Sequence, residues 1–435
     1  MALPVFNGAA AVGVIDADAS GPRFQYDQAW REAADAFPAS LTMPLNQEAW
    51  GAEVATPWLM NLLPEGEPLR AMTRALGVSR DDILGLIAET GRDLAGALTI
   101  GAPRPDDTPG YREIGSSTDL ERILQELPAK PFLVGEDGVS MSLAGAQEKL
   151  PVALVDGRLA VPINGAASTQ ILKPDNPRLP GSVQNEALCM VLARRCGLSV
   201  APITTGLAGT RSYLLVERYD RLINGDLIRR LHQEDFCQAL GRPPVAKYEH
   251  NQSGVPGPSL SDMFALARAH MTAREITGLL DAAIFNIAIG NVDSHAKNYS
   301  VLLSSRRPQL APLYDLMSGL VWPNITQNHA QDVGGQRRGR HILGRHWRRM
   351  AEDCGLSRPA TLRRVIQLAG RVVAETAAAA AEVAAMPAGG GAMLQSFADA
   401  IRERALLVLA NARREGSVED EEPATENVGA TYGDA

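Results

Sequence analysis

Aromatic residues make up only 5% of this 435-residue chain, so its packing has to come mainly from aliphatic side chains. Cysteine is scarcer still. The four present, Cys189, Cys196, Cys237 and Cys354, show no C-x-x-C pairing and no regular framework, which excludes a fold stapled by disulfides. Cys189 and Cys196 stand seven apart in one helical stretch, where a disulfide has poor geometry, so reduced core cysteines are expected. No apolar run reaches 18 residues, which excludes a conventional spanning helix. The start, Met1 to Phe6, lacks the basic region of a signal peptide. A cytoplasmic location without membrane contact is the expectation.

What is present begins with length. With 435 residues and 45% hydrophobic content, the chain can build two or three cores. Its net charge of −8 is unevenly placed. Residues 416–435 carry Glu419, Asp420, Glu421, Glu422, Glu426 and Asp434 without Lys or Arg, so this tail holds −6 and the body only −2. Gly, Pro and Thr between the charges favour a solvated, disordered tail. The body contains the opposite extreme: Arg337, Arg338, Arg340, Arg345, Arg348 and Arg349, with His341 and His346, contain no acid among them. Such a run is either a solvated face or a patch for nucleic acid or an acidic partner.

Patterning divides the chain into residues 1–105, a strand-rich part at 106–222, a helical part at 223–415 and the tail. Strands are expected at Ala11–Ile15 and Leu98–Ile100, and helices at Glu67–Leu76, Arg80–Thr90, Leu260–His270, Ala273–Asn286, Pro359–Ala385 and Ala392–Arg414. Pro103, Pro105, Pro109 and Gly110 mark a linker. Ser357 before Pro359 is a candidate N-cap, and Pro387 to Gly391 a helix break. Ala75 to Ser79 between two amphipathic stretches offers a helix-turn-helix reading of Leu69–Arg92, although helix–Gly–helix pairs are frequent.

The chemistry-bearing stretch is Gly290 to Ser300, which places Asp293 and Asn298 five residues apart after an apolar helix. That is the spacing of a kinase catalytic loop, in which the Asp orients the attacking hydroxyl and the Asn gives a neutral oxygen to Mg²⁺. Asp315, 17 residues beyond Asn298, is the candidate second metal ligand. Upstream, Thr169 to Pro174 is a short strand ending at Lys173, and Ser142 to Lys149 is a loop of small residues before the strand Leu150 to Val155. Such a loop lets backbone N–H groups approach a phosphate. Each alone has an ordinary reading: a solvated lysine, a turn Asp, a hairpin Gly. Their order is that of a protein kinase, yet G-x-G-x-x-G, H-R-D and D-F-G are absent from these positions. Glu186, near the start of a helix beginning about Val183, either pairs with Lys173 or is a carboxylate favoured by the helix dipole.

At these residues the chain resembles the HipA toxin kinases of bacterial toxin–antitoxin systems. The resemblance rests on Ser142 to Lys149, Ile171-Leu172-Lys173, Asn185-Glu186, Val216 to Arg221, Leu231 to Asp235, Lys247-Tyr248-Glu249, Asp293 to Asn298 and Tyr314-Asp315. Looser similarity reaches Phe24 to Asp27, Asn61 to Gly66 and Gly91 to Ala97, and only about the last 20 residues look foreign.

The resemblance implies an α+β, divergent protein-kinase-like two-lobed fold and a serine/threonine protein kinase using ATP and Mg²⁺. By motif, Asp293 would be the catalytic base, Asn298 and Asp315 the metal ligands, and Lys173 the phosphate-holding lysine. Ala144, Gly145, Ala146, Gln147, Glu148 and Lys149 would cover the phosphates. Glu217, Arg218 and Tyr219 would be the hinge that bonds adenine through backbone groups, with His295, Ala296, Lys297 and Tyr314 as further nucleotide contacts. Ser142 would be the autophosphorylated serine whose modification ejects the loop, since a phosphate adds about −1.5 to −2 charge beside a polyphosphate. The implied partners are a HipB-like helix-turn-helix antitoxin in a 2:2 complex on operator DNA, and a protein substrate of the translation machinery, typically an aminoacyl-tRNA synthetase. Arg337 to Arg349 would then touch the DNA backbone. The competing readings are a corepressor with a vestigial kinase site and a small-molecule phosphotransferase.

Overall fold

The computed structural model describes residues 1–103, 107–225 and 227–414. The acidic tail and Pro105 of the expected linker lie outside the described residues. The chain divides into two compact units. One comprises Met1–Pro174, Leu207–Pro244 and Val301–Pro308, and the other Asp175–Gly206, Val245–Ser300 and Gln309–Ala435.

The first unit opens with a five-stranded antiparallel sheet in the order Ala49–Trp50, Gly21–Tyr26, Ala10–Asp18, Leu3–Asn7, Leu98–Ile100. Alternation in Leu3–Asn7 sends Leu3 and Val5 inward, where they join Phe24, Trp58 and Leu86 in one core. Aromatics are few, but they are concentrated here. Phe24 meets Tyr26 and Trp58 edge-on at 4.7 and 6.0 Å. The helices Gly66–Leu76 and Ile83–Thr90 occupy the stretch with the helix-turn-helix pattern. Leu84, Gly85, Leu86, Ile87 and Thr90 of the second helix are buried, so it is a core helix rather than one that could lie in a DNA groove.

A six-stranded sheet follows, ordered Ile203–Ala208, Arg211–Glu217, Gln170–Pro174, Leu150–Val155, Arg158–Ile163, Gly110–Glu113. The chain re-enters this unit through Ile203–Ala208. Leu150, Val152, Val161, Leu172 and Leu215 pack with Leu120, Ile123 and Leu124 of the helix Ser117–Glu126. Ser116 caps that helix by accepting from Asp119 N–H at 3.1 Å. Beneath lies a buried ionic network. Arg218 bonds both Asp220 carboxylate oxygens at 2.9 and 2.7 Å, and Arg221 reaches Asp93 at 3.0 Å. Burial alone would raise the Asp93 pKa, but Arg221, then Arg218 and Arg230, hold it below the usual value. Gly91 to Ala97 and Val216 to Arg221, distant in sequence, are thus joined by charge.

The second unit is helical: Ser182–Arg195, Leu260–His270, Ala273–Ile289, Gly344–Asp353, Arg358–Ala384 and Ala392–Ala412. Ser259 and Asp262 form a reciprocal capping box at one start, and Ser357 caps Arg358–Ala384, as its place before Pro359 predicts. Arg358–Ala384 buries Val365, Leu368 and Val372, while its Arg364 forks onto Asp281 of Ala273–Ile289. Ala273–Ile289 runs one turn beyond the expected end at Asn286 because its residues stay apolar to Gly290. All four cysteines are buried, and Cys196 caps the C-terminus of Ser182–Arg195. No helix among the described residues is long and apolar enough to cross a membrane.

Candidate active site

The loop from Gly290 is built by the end of its helix. Gly290 adopts φ +69°, and a Cβ there would sit 2.6 Å from the Leu320 side chain; both facts call for glycine. Asn291 then locks the turn. Its side-chain amide donates to Asn286 Oδ1 at 2.9 Å, its Oδ1 accepts from Asp293 N–H at 3.1 Å, and its carbonyl pairs with His329 Nδ1 at 2.9 Å. Asn298 closes the loop by donating from Nδ2 to the Asp293 carbonyl at 2.7 Å. With its nitrogen committed, Asn298 has Oδ1 to offer a cation.

Tyr248 donates its hydroxyl to Asp293 Oδ1, and its ring meets His295 edge-on at 5.1 Å. The Lys247 carbonyl accepts from Ala296 N–H at 3.1 Å, so Lys247-Tyr248 is bound to the loop at two points. Burial first, then the charges of Lys247 and Lys297, push the His295 pKa well below its ordinary value. The imidazole is therefore neutral. Asp293, Asn298 and Asp315 are half-buried, whereas His295, Ala296 and Lys297 are buried.

Asp315 is tied to the same loop through its neighbour. The Tyr314 hydroxyl reaches the Lys297 carbonyl at 2.6 Å and Ser300 Oγ at 2.7 Å. Asp315 itself sits at φ +56°, in the left-handed region, a strained setting that proteins retain chiefly at functional positions. Three residues on, Ser318 exchanges two hydrogen bonds with Asn185, at 2.8 and 3.0 Å. Asn185 and the buried Glu186 thus share the helix Ser182–Arg195 that anchors this segment.

In the other unit, Lys173 is buried on a strand flanked on both sides, with Leu214 as its cross-strand partner. The loop Ala144 to Lys149 is half-buried and held by residues 64 and 65: Pro64 bridges Gly145, and Glu65 N–H donates to the Gly145 carbonyl at 3.1 Å. Lys149 Nζ reaches back to the Ala144 carbonyl at 2.6 Å. Gly145 has φ +105°, and a Cβ there would lie 2.8 Å from that Nζ. Ser142 is fully buried, its Oγ donating to the Leu62 carbonyl at 3.0 Å.

Glu217, Arg218 and Tyr219 lie where the strand Arg211–Glu217 ends. The Arg218 N–H donates to the Thr169 carbonyl, its carbonyl accepts from Arg221 N–H, and its side chain is spent on Asp220 and Ser168. The strand stops at Glu217, and Tyr219 lies in the turn that the Arg221 N–H bond to the Arg218 carbonyl closes.

The structure brings Asp293, Asn298, Tyr314 and Asp315 together with His295 to Lys297 in one unit, and Lys173, Ser142 to Lys149 and Glu217 to Tyr219 in the other. Sequence reading missed Tyr248 as a site residue. Its only signal was the Lys247-Tyr248-Glu249 motif. As for fit to a divalent cation, the half-buried Asp315 carboxylate and the Asn298 amide oxygen are the hard oxygen donors Mg²⁺ takes.

The chain is similar to known proteins. Residues 3–101 match the HipA N-terminal domain and residues 141–380 the HipA-like C-terminal domain. The chain is 38% identical over 400 residues to the Y4mE protein of Sinorhizobium fredii, covering 88% of this chain and 93% of that one. It is 29% identical over 389 residues to the serine/threonine-protein kinase toxin HipA of Shewanella oneidensis, covering 86% and 88%. The solved Shewanella oneidensis complex of HipA, HipB and operator DNA contains a chain matching with a TM-score of 0.79 at 27% identity, over 94% of this chain and 96% of that one. The α+β, kinase-like fold is therefore that of HipA.

Proposed function

The chain belongs to the HipA family, and from that premise we propose that it is an ATP-dependent serine/threonine protein kinase, the toxin of a toxin–antitoxin pair. The observation that carries the reading is the loop in which Asn298 bonds the Asp293 carbonyl beside Tyr314 and Asp315. In this reading Asp293 takes the proton of the substrate hydroxyl as its oxygen bonds the γ-phosphorus and the bond to the β-phosphate oxygen breaks, leaving ADP. Tyr248 fixes the Asp293 carboxylate so that one oxygen faces the hydroxyl. Lys173 sets its charge against the phosphates, and backbone N–H groups of Ala144 to Lys149 approach them. Glu217 and Tyr219 supply the backbone bonds to adenine, with Arg218 as the anchor between them. Asn298 and Asp315 would hold Mg²⁺, whose chemistry is to neutralise charge on the transferring phosphates. Glu186 is a candidate charge partner for Lys173.

Control at Ser142 follows from its burial. A phosphate on the buried Ser142 Oγ would break its bond to the Leu62 carbonyl and would repel a bound polyphosphate, so phosphorylation would expel the loop carrying Ala144 to Lys149. The protein substrate is proposed to be a translation component such as an aminoacyl-tRNA synthetase, and the neutralising partner a helix-turn-helix antitoxin on operator DNA, with Arg337 to Arg349 on the phosphate backbone. Expression of the Asp293→Asn variant tests the kinase account. Loss of growth arrest with the fold intact is expected. Arrest equal to wild type would favour the corepressor reading.

A further inference from the structure

One strand supports the loop Gly290 to Ser300 at two places. Asn328–Val333 sends the buried His329 ring to the Asn291 carbonyl, with Nδ1 at 2.9 Å. Ser294 Oγ donates to the same carbonyl more loosely, at 3.3 Å, so residues on both sides of Asp293 meet at one oxygen. Asn291 passes this hold onward, because its Oδ1 accepts from the Asp293 N–H. The next residue of the strand supports the other contact. The Ala330 carbonyl accepts from Glu249 N–H at 3.1 Å, beside the Tyr248 that bonds Asp293.

A carbonyl oxygen only accepts, so Nδ1 carries the proton in the His329 contact, and in a neutral ring Nε2 is then bare. Burial first, then the charge of Arg404, lowers the His329 pKa to about 3, so the ring is neutral at physiological pH. Nε2 has a particular neighbour. Arg404, on the helix Ala392–Ala412, is also buried, and neither its Nη1 nor His329 Nε2 has a hydrogen-bond partner among the described residues. Both nitrogens face one spot on the 3₁₀ turn Gly339–His341. A Cβ at Gly339 would lie 2.5 Å from Arg404 Nη1 and 2.6 Å from His329 Nε2, so glycine is what lets strand, turn and helix close together here. A fixed cation beside Nε2 opposes a proton on that nitrogen, which leaves Nδ1 as its place.

We propose that His329 is a positioning residue for the loop that carries Asp293: its Nδ1–H fixes the Asn291 carbonyl, and Arg404, across Gly339, keeps the ring in the tautomer that does so. The effect on phosphotransfer rests on the kinase reading given above; the tautomer does not. Ser294 still bonds the carbonyl when the imidazole is removed, so the loop loosens rather than unfolds. The loss then falls on the transfer step rather than on nucleotide binding, which that reading assigns largely to Lys173 and Ala144 to Lys149.

The test begins on the unaltered full chain. With ¹⁵N-labelled histidine, long-range ¹⁵N–¹H NMR spectra read the protonated nitrogen of each ring, and the His329→Asn variant identifies the His329 signals by their loss. A proton on Nδ1 and a bare Nε2 are expected from about pH 5 to 8; a proton on Nε2, alone or with one on Nδ1, overturns the proposal. In Arg404→Gln the Nε2–H form should become detectable, and an unchanged spectrum overturns the part given to Arg404. Kinetics then separate positioning from packing. An Asn amide can place a donor where Nδ1 stands, whereas Leu fills the space without one. Steady-state transfer of labelled γ-phosphate to an acceptor protein should show kcat lowered about tenfold in His329→Leu with the KM for ATP held, and His329→Asn within about threefold of the unaltered chain. Equal kcat in all three, a loss carried by KM, or His329→Asn as impaired as His329→Leu overturns the positioning role. Transfer absent from the unaltered chain as well overturns the kinase reading instead. Matching melting temperatures show that the variants are folded, and the spectra of the unaltered chain decide the tautomer whether or not they are.

Discussion

Replacing Tyr248 by Phe removes one oxygen from the candidate active site and leaves the ring. The hydroxyl donates to Asp293 Oδ1, while the ring edge rests on His295 at 5.1 Å, so the Phe variant keeps the packing and loses the hydrogen bond. A bond to a charged acceptor contributes about 1.5–3 kcal/mol. Asp293 is only half-buried, so water replaces part of what is lost and the lower end applies. At about 1.4 kcal/mol per factor of ten, kcat for phosphotransfer should fall roughly tenfold. The KM for ATP should hold, because Tyr248 touches the proposed base. The assay is steady-state transfer of labelled γ-phosphate to an acceptor protein, with thermal unfolding of both proteins alongside. An unchanged kcat, or a loss carried wholly by KM, would refute the positioning role.

Other expectations concern stability and its pH dependence. Burial pushes Glu234 up to about 8 from 4.5 while Leu41 N–H donates to it at 2.8 Å. Because the folded pKa is raised, this group's stabilisation is complete below about pH 4.5 and lost as pH rises through about 8, on the order of 5 kcal/mol over the window; Glu234→Gln should flatten that slope in denaturant midpoints measured from pH 5 to 8, and an unaltered slope would contradict it. Burial depresses His232 to about 4 from 6.5. Its contribution is present above 6.5 and lost as pH falls through about 4, so His232→Gln should lessen the acid-side loss seen in the same measurement. Gly290→Ala should cost about 1–3 kcal/mol and also lower kcat, since the new Cβ meets Leu320 and displaces Asn291; an unshifted melting temperature would show that the turn tolerates L-residues.

Much of the geometry of the loop Gly290 to Ser300 was legible from spacing, because Asp293 and Asn298 lie within one short turn and a local pattern reports local geometry. The same holds for the strand Leu150–Val155 and for the helix Leu260–His270, whose ends carry turn or cap chemistry. Tyr248 was not legible as a site residue. It stands 45 residues before Asp293, and no periodicity connects residues that only tertiary packing brings together. Arg218 shows the other limit. The family resemblance implied a hinge role for it, but not that both its backbone groups and its guanidinium are committed to Thr169, Arg221, Ser168 and Asp220. The helix-turn-helix pattern at Leu69–Arg92 failed because amphipathic periodicity does not say how much of a helix is buried, and Ile83–Thr90 is a core element.

In the proposed reaction this chain transfers the γ-phosphate of ATP to protein hydroxyls through Asp293. Its most direct measurement is incubation of the purified chain with γ-labelled ATP and Mg²⁺, with mass-spectrometric mapping of the label, beside the Asp293→Asn variant. The account predicts label on protein, including the peptide bearing Ser142, and none in the variant of unchanged fold. Equal labelling of the variant, or ATP turnover only when a small metabolite is added, would contradict it.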